Sequence, residues 1–326
     1  MGATTTLSGF PEALKKDSYK WYWESSDPLP KVYSEVFEVR KSNALYEKST
    51  SAVGTGLLIE KPENKAMEEK SPIEGYTVYG RNIAWGKIEH ISKELHDDTQ
   101  KLAKFLESQM PMWSKDAVET METFYANVFN YGGYTAGHSM FNASISGVLD
   151  DPSGDKIYDS VPLITPTGTN HIPKSGGTGY YNGLGALNIT KDNLQTAWNL
   201  FTVTNNRKED GSRMSIAPDI LLASPALKFT IDELINSPDD PTTSNRAINV
   251  LKNIVRPVYW HYLTDADQWT LVKAKFGLVA LMRENPEFDM WEVKETKNYK
   301  MSIFMRFGLM IENWRGLVSA NYATSA

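Results

Sequence analysis

Between Thr190 and Ser237 the hydrophobic period changes twice, and that change restricts what the chain can become. Thr190 suits a helix cap, and Leu194, Ala197, Trp198 and Phe201 follow at helical spacing. Asn205-Asn206-Arg207-Lys208-Glu209-Asp210-Gly211 is too polar to bury and predicts an exposed loop. Asp219 to Ser224 holds Ile220-Leu221-Leu222, three apolar residues in a row, which suits a strand covered on both faces. Pro225 stands where proline opens a helix, and Leu227, Ile231, Leu234 and Ile235 mark one face of that helix up to Ser237-Pro238.

The clearest two-residue period lies near the end. Tyr299, Met301, Ile303, Met305 and Phe307 alternate with Lys300, Ser302, Phe304, Arg306 and Gly308, which predicts a strand with one buried face. Phe288 to Val293, and Asp265 through Leu271 and Val272, predict two more strands. Ile248 to Trp260 alternates loosely, with Val250, Ile254, Val255 and Val258 expected inside. Toward the start, Val32 to Tyr46 alternates weakly, with Val36 and Phe37 inside it. Val53-Gly54-Thr55-Gly56-Leu57-Leu58-Ile59 and Gly75 to Gly80, running on through Ile83 and Trp85 to Ile88, bracket a charged segment from Glu60 to Pro72. Two such runs around a charged tip predict a long hairpin. A tip of that composition must project into solvent or onto a partner.

Leu95, Leu102, Phe105, Leu106 and Met110 share a helical face. Pro111 is expected to end that helix, and Ser114 to cap a second with Ala117, Val118, Met121, Phe124, Tyr125 and Val128 inward. From Asn130 to Gly185 regular signals fade, and a run of that length is functional, mobile or misread. Residues 1–34, broken by Pro11, Pro28 and Pro30, carry an aromatic cluster of Tyr19, Trp21, Tyr22 and Trp23. Such a segment needs either its own subunit or a neighbour to cover it.

The 326 residues suit two compact lobes with extensions. A net charge of -6 argues against a protein that grips nucleic acid, because phosphate neutralisation drives that binding. The nine Trp and sixteen Tyr fit either large cores or buried subunit contacts. The absence of cysteine removes disulfides, thiol catalysis and cysteine–zinc sites together, and fits a reducing cytosol. Met1 to Leu7 has no basic region followed by an apolar run, as a signal peptide would. The Met-Gly-x-x-x-Thr start matches a myristoylation signal only formally. No apolar run approaches the ~20 residues of a membrane span.

The residues offer little chemistry. His90, His96, His138, His171 and His261 never pair at metal-ligand spacing, and His96 beside Asp97 and Asp98 reads as an acidic helix start. Ser175 to Gly185 is glycine-rich but lacks the Gly-Lys-Ser/Thr ending of a phosphate loop and follows no predicted strand, so it reads as a flexible connector. Asp150 to Asp155 lacks the ligands of an EF-hand, and Gly-x-Ser-x-Gly is absent. Asn142-Ala143-Ser144 and Asn188-Ile189-Thr190 are formal glycosylation sequons. No catalytic, cofactor-binding or metal residue is assigned.

In order and spacing, several of these stretches resemble tailed-bacteriophage major capsid proteins, and within them the Mu-type head subunits. The stretches are Asn193-Leu194-Gln195-Thr196-Ala197, the Glu209-Asp210-Gly211 turn, Ile216 through Leu227, and the closing Asn313-Trp314-Arg315-Gly316. Ile91 to Asp98 is similar to the lead into that family's spine helix. Gly137 to Ala143 is similar to a Gly-x-x-Leu-Phe stretch of the Mu-type subunits, without its usual downstream histidine. The resemblance runs from about Gly54 to Val318.

It implies an α+β chain with the Hong Kong 97 capsid fold, divided into an N-terminal arm (1–34), a strand and extended hairpin loop (35–90), a peripheral domain with spine helix and long loop (91–189), an axial domain (190–285) and peripheral return strands (286–326). It implies a shell protein and not an enzyme, assembled into hexamers and pentamers around phage double-stranded DNA that it contacts weakly. It also implies a portal; and since no long charged helical scaffold segment precedes residue 1, either a separate scaffold protein is implied or an N-terminal piece has been removed. No cofactor and no membrane are implied, and the expected place is the virion, assembled in the bacterial host cytoplasm. Some members of this fold join subunits by a Lys–Asn bond. Lys61, Lys65 and Lys70 lie on the loop tip and Asn298 and Asn313 in the last strands, but the sequence pairs none of them. An encapsulin-like cellular compartment is the alternative on the same fold. A hydrolase with its site in 130–185 ranks last, because nothing supplies a nucleophile with a positioned base.

Overall fold

The computed structural model describes residues 20–22, 24, 30–61, 63–71, 73–92, 102–133, 159, 161–239, 248–296 and 298–324, with the backbone alone for 102–108. Among these, the strands form two sheets. The first has the order β1 (Glu38–Lys41), β7 (Leu278–Glu292), β8 (Tyr299–Ile311), β3 (Ile73–Ile91), β2 (Tyr46–Val53). Only the β1–β7 pair is parallel. The second has the order β5 (Arg256–Tyr259), β4 (Ile220–Ala223), β6 (Trp269–Val272), β9 (Leu317–Ala320).

The period of β8 does what alternation predicts. Met301, Ile303, Met305 and Phe307 are buried on the face under helix α2 (Leu102–Asn130). Beyond Phe307 the alternation stops, because Val78, Val279, Leu281 and Met310 form a small second core on the other face. The α2 side supplies Trp113, Ala117, Met121, Phe124, Tyr125 and Phe129. Tyr125 O–H donates to the Gly308 carbonyl at 3.0 Å, so helix and strand are joined by a buried hydrogen bond as well as by packing.

Pro111 does not end the helix; it lies within α2. Proline in a helix interior removes an N–H bond and crowds the carbonyl four residues back, at a cost of ~3 kcal/mol. Burial outweighs this: Met110, Trp113, Ala117 and Met121 on the flanking turns are buried, and each large apolar side chain taken from water contributes about 1.5–3 kcal/mol. Ser114 is therefore a buried mid-helix residue and caps nothing. Leu95 lies outside the described residues, as do the side chains of Leu102, Phe105 and Leu106.

The second sheet explains the central apolar run. Leu221 and Ala223 of β4 face one core, with Leu194, Ala197 and Phe201 on α3 (Lys191–Asn199) and the π-helical Leu200–Thr204, and with Ile231, Leu234 and Ile235 on α4 (Lys228–Asn236). Ile220 and Leu222 face the main core on the opposite side. Thr190 caps α3 as expected, its side chain accepting from Asn193 N–H, and Ser224 accepts from Ala226 N–H ahead of the short 3-10 turn Pro225–Leu227.

Several expectations fail for local reasons. Asn205 and Asn206 are buried, because their side-chain amides donate to the Tyr181, Thr202 and Ile216 carbonyls. Ile248 and Val250 are exposed, and only Arg256–Tyr259 of that region is strand. β7 begins ten residues before the expected Phe288, at Leu278, and two register shifts let the strand pass Pro286. Val32 to Val36 is not strand: α1 (Tyr33–Val36) precedes β1. Of the Ser175–Gly185 stretch, Asn182 is fully buried, accepting from Thr165 N–H and donating to the Leu163 carbonyl. Trp21, Tyr22 and Tyr33 pack on this copy's own core, so the described aromatic residues of the N-terminal arm find their packing in cis. Gly137–Ala143 and Asp150–Asp155 lie outside the described residues.

Candidate assembly surfaces

β2 and β3 pair antiparallel from Tyr46↔Arg81 to Val53↔Ile73 and form the expected hairpin. Its strands are unequal. β3 continues for 19 residues from the tip to the middle of the first sheet, where it pairs with β8. Leu57, Leu58 and Ile59 are not strand; they lie exposed beyond the last β2–β3 pair with Met67 exposed in the same tip.

The root of the hairpin is fastened on both strands. On the β2 side, Asp210 accepts from the Gly56 N–H, and a Cβ at Gly54 would sit 3.0 Å from the Asp210 carboxylate. On the β3 side, Tyr76 O–H donates to the Ile172 carbonyl at 2.9 Å while Lys174 Nζ lies over the Tyr76 ring. The same polar turn is tied inward: Glu209 accepts from Lys174 N–H and from Arg315 Nη1 (2.8 Å each), and its carbonyl accepts from the Ser175 hydroxyl. Hydrogen bonds from Ser212, more than any other cause, hold the Asp210 carboxyl below its usual range. A cleft of about 340 Å³ remains at this root, lined by Tyr76, Glu209, Glu312, Asn313 and Arg315 among others.

A second join lies between α1, α2 and the start of the loop after β5. Glu122 of α2 is buried and accepts from Trp260 Nε1–H at 2.6 Å and from the Tyr33 and Val32 backbone N–H groups. All three of these donors are neutral. Burial pushes its carboxyl from 4.5 up to about 6, opposed by those hydrogen bonds and helped by the nearby Glu35. Because the folded value is raised, the protonated form favours the fold. That contribution is complete below the unfolded value and is lost as pH rises through about 6. A shift of this size corresponds to about 2 kcal/mol. Glu122→Gln is expected to flatten the stability profile by about that amount between about pH 4.5 and 7.5, read from urea midpoints. A variant with the parent's slope places the titration on another group.

The histidines separate as follows. His90 and His261 are exposed, and His96 and His138 lie outside the described residues. His171 is buried, its Nδ1 on the Asp159 carboxylate, its Nε2 at 3.3 Å from the Leu163 carbonyl, and its ring 4.4 Å from Trp314 in a parallel stack. The Arg315 guanidinium lies over Trp314 as well, 4.7 Å from its centroid. Nothing in the spacing of Asp159, His171 and Trp314 announces this cluster; only the fold brings them together. Lys61, Lys65 and Lys70 are on the exposed tip, Asn298 precedes β8, and Asn313 follows it at the root cleft. No group of three or more metal-ligating side chains occurs among the described residues, and no helix there is long and apolar enough to cross a membrane.

A family model described as phage capsid protein matches residues 81–320, leaving the hairpin tip outside the matched span. Solved structures align with most of the chain. The asymmetric unit of the bacteriophage PhiM1 mature capsid is 10% identical over 91% of this chain and 89% of that one, with a TM-score of 0.56. The capsid of the native GTA particle computed with C5 symmetry is 9% identical over 89% of each chain, at 0.53. The capsid of the cyanophage P-SCSP1u is 8% identical over 91% of this chain and 89% of that one, at 0.53. At these identities the likeness is one of fold. A search of curated protein sequences gave no match.

Proposed function

Because the chain belongs to the phage capsid protein family, we propose that its work is self-assembly, carried out by the projecting hairpin and by the polar clamp that aims it. It has the Hong Kong 97 capsid fold and is a major capsid protein that builds the shell of a virion. The observation that carries the hairpin's role is its tip: Leu57, Leu58 and Ile59 are exposed, and their own copy gives them no cover. Apolar residues presented together on a projection mark a contact surface. Identical copies that touch head to tail form rings when the rotation closes.

In the finer reading, residues 190–285 form the axial lobe, 91–189 and 286–326 the peripheral lobe, and copies group as hexamers and pentamers. A separate scaffold protein and a portal take part in assembly in the bacterial host cytoplasm. The net charge of -6 supports an inner surface that encloses DNA without holding it tightly. The fold supplies surfaces for joining copies, and the role is structural.

Leu58→Asp tests the hairpin. Leu58 is fully exposed in the single copy, so the variant should fold with an unchanged melting temperature. In the shell the carboxylate would be buried against apolar surface; even ~1.4 kcal/mol per contact weakens each contact about tenfold. Particle yield by sedimentation and negative-stain microscopy should fall to a few percent of the parent's or below, given many contacts per particle. Parent-like yield would remove the hairpin from assembly.

A further inference from the structure

α1 is too short to hold itself. It has four residues, and Val32 ahead of it makes no side-chain cap bond. The first N–H groups of a helix have no partner inside it and need one from elsewhere. Here α2 supplies it: Glu122 accepts from the Val32 N–H and, at Oε1, from the Tyr33 N–H at 3.4 Å. Its other oxygen accepts from Trp260 Nε1–H at 2.6 Å. Trp260 follows β5, the edge strand of the second sheet, whereas α2 covers the first. One buried carboxyl therefore gathers the entry to α1, the helix over one sheet and the edge of the other.

The remaining ties of this join differ in kind. The Arg256 guanidinium of β5 lies 2.6 Å from the Glu35 carboxylate of α1, but both side chains are well exposed, and such pairs are weak. The Tyr33 ring stacks on Tyr125 at 4.9 Å, and Phe37 packs against Tyr125 and Phe129. Burial, then the nearby Glu122, raises the Tyr33 phenol, and burial with Glu119 and Glu122 raises that of Tyr262, so neither ionises near neutrality. The other charged or titratable groups at the join are Glu35, Glu119, Arg256 and the exposed His261 beside Trp260. Among the described residues no cation pairs with Glu122. A cleft of about 430 Å³, lined by Glu119, Thr123 and Tyr262 among others, brings solvent within one helical turn of it.

We propose that Glu122 is a proton-operated latch: neutral, it holds the chain entering α1 against α2 and the Trp260 turn, and ionised, it lets Lys31 to Ser34 open while the rest of the fold stays closed. What opens is the foot of the N-terminal segment, so the proton sets how firmly that segment stays on its own copy. The latch needs no second copy and is independent of the shell role. Its sign follows from burial, which moves the carboxyl from 4.5 to about 6 in the closed join. The closed form has its full advantage below pH 4.5 and loses it as pH rises through about 6. Across that range the opening equilibrium changes by about thirtyfold.

Hydrogen exchange of the full, unassembled chain tests the latch, read by mass spectrometry over a pH series and corrected for the pH dependence of exchange itself. Amides of 31–37 are expected to lose about thirtyfold in protection between pH 4.5 and 7.5, with little response to low urea, because a local opening exposes little surface. Amides of β4 should be better protected and respond steeply to urea. If 31–37 shares the protection and urea response of β4, the segment has no opening of its own and the latch is overturned. Glu122→Gln should remove the pH response of 31–37, and His261→Asn should keep it. A response that survives Glu122→Gln or disappears in His261→Asn overturns the proposal. Trp260→Phe decides if Glu122→Gln does not fold. It deletes a donor that favours the ionised carboxyl, so the midpoint should move above 6, and an unmoved midpoint takes the titration away from Glu122.

Discussion

Phe307→Ala is expected to lower stability by about 3–5 kcal/mol, the range for removing a large buried aromatic side chain. Phe307 is fully buried where β8 meets α2. Its ring stacks on Trp85 at 5.5 Å and meets Phe124 edge-on at 5.1 Å, with Tyr125 tilted at 5.9 Å. The three rings belong to β3 and α2, so the deletion opens a cavity at the join of strand and helix rather than inside one element. Such aromatic pairs add about 0.5–1.5 kcal/mol each beyond burial, which places the effect toward the upper end. Urea unfolding measures the loss, and near-ultraviolet circular dichroism should weaken as Trp85 loses its stacking partner. Phe304→Ala is the control. Three residues earlier on the same strand and facing outward, it should cost the single copy less than about 1 kcal/mol.

His171→Leu should be comparably damaging, at about 3–5 kcal/mol, for a different reason. Leucine roughly fills the space but leaves the Asp159 carboxylate buried without its partner. The loss should also loosen Trp314, which is covered by the imidazole on one side and lies in reach of the Arg315 guanidinium. Arg315 in turn holds Glu209 at the hairpin root. Asp159→Asn combined with His171→Leu should be less destabilised than the sum of the single changes, because a neutral amide tolerates burial better than an orphaned carboxylate. Additive losses would show that the pair contributes nothing beyond its packing.

The parts legible in the sequence were those in which one residue pattern met one environment. The 190–237 stretch keeps its helical and continuous apolar periods because β4 is sandwiched between two cores. The hairpin shows because the charged segment from Glu60 to Pro72 separates two strand-like runs. β7 is half hidden, since Arg283, Glu284 and Pro286 interrupt its pattern and pairing with β8 on both sides of the register shifts carries the strand past them. Sequence alone divides α2 in two at Pro111, because a local rule about proline competes with burial that the rule cannot see. Asn205 and Asn206 look like turn residues and are buried, since the carbonyls they satisfy come from 24 positions away for Asn205 and up to 10 away for Asn206. The His171 cluster is a product of tertiary geometry, which no spacing rule encodes.

β3 has a mechanical meaning beyond recognition. It is one unbroken run of 19 residues, about 60 Å at the usual rise, beginning in the projecting hairpin and ending beside the spine of the molecule. Its partners β2 and β8 lie alongside it with their hydrogen bonds across its length. A pull on the tip therefore loads those bonds in shear, many at once, instead of peeling them one by one. A container stretched by crowded contents would carry its hoop tension along such strands, with the tether and the wall made from the same piece of backbone.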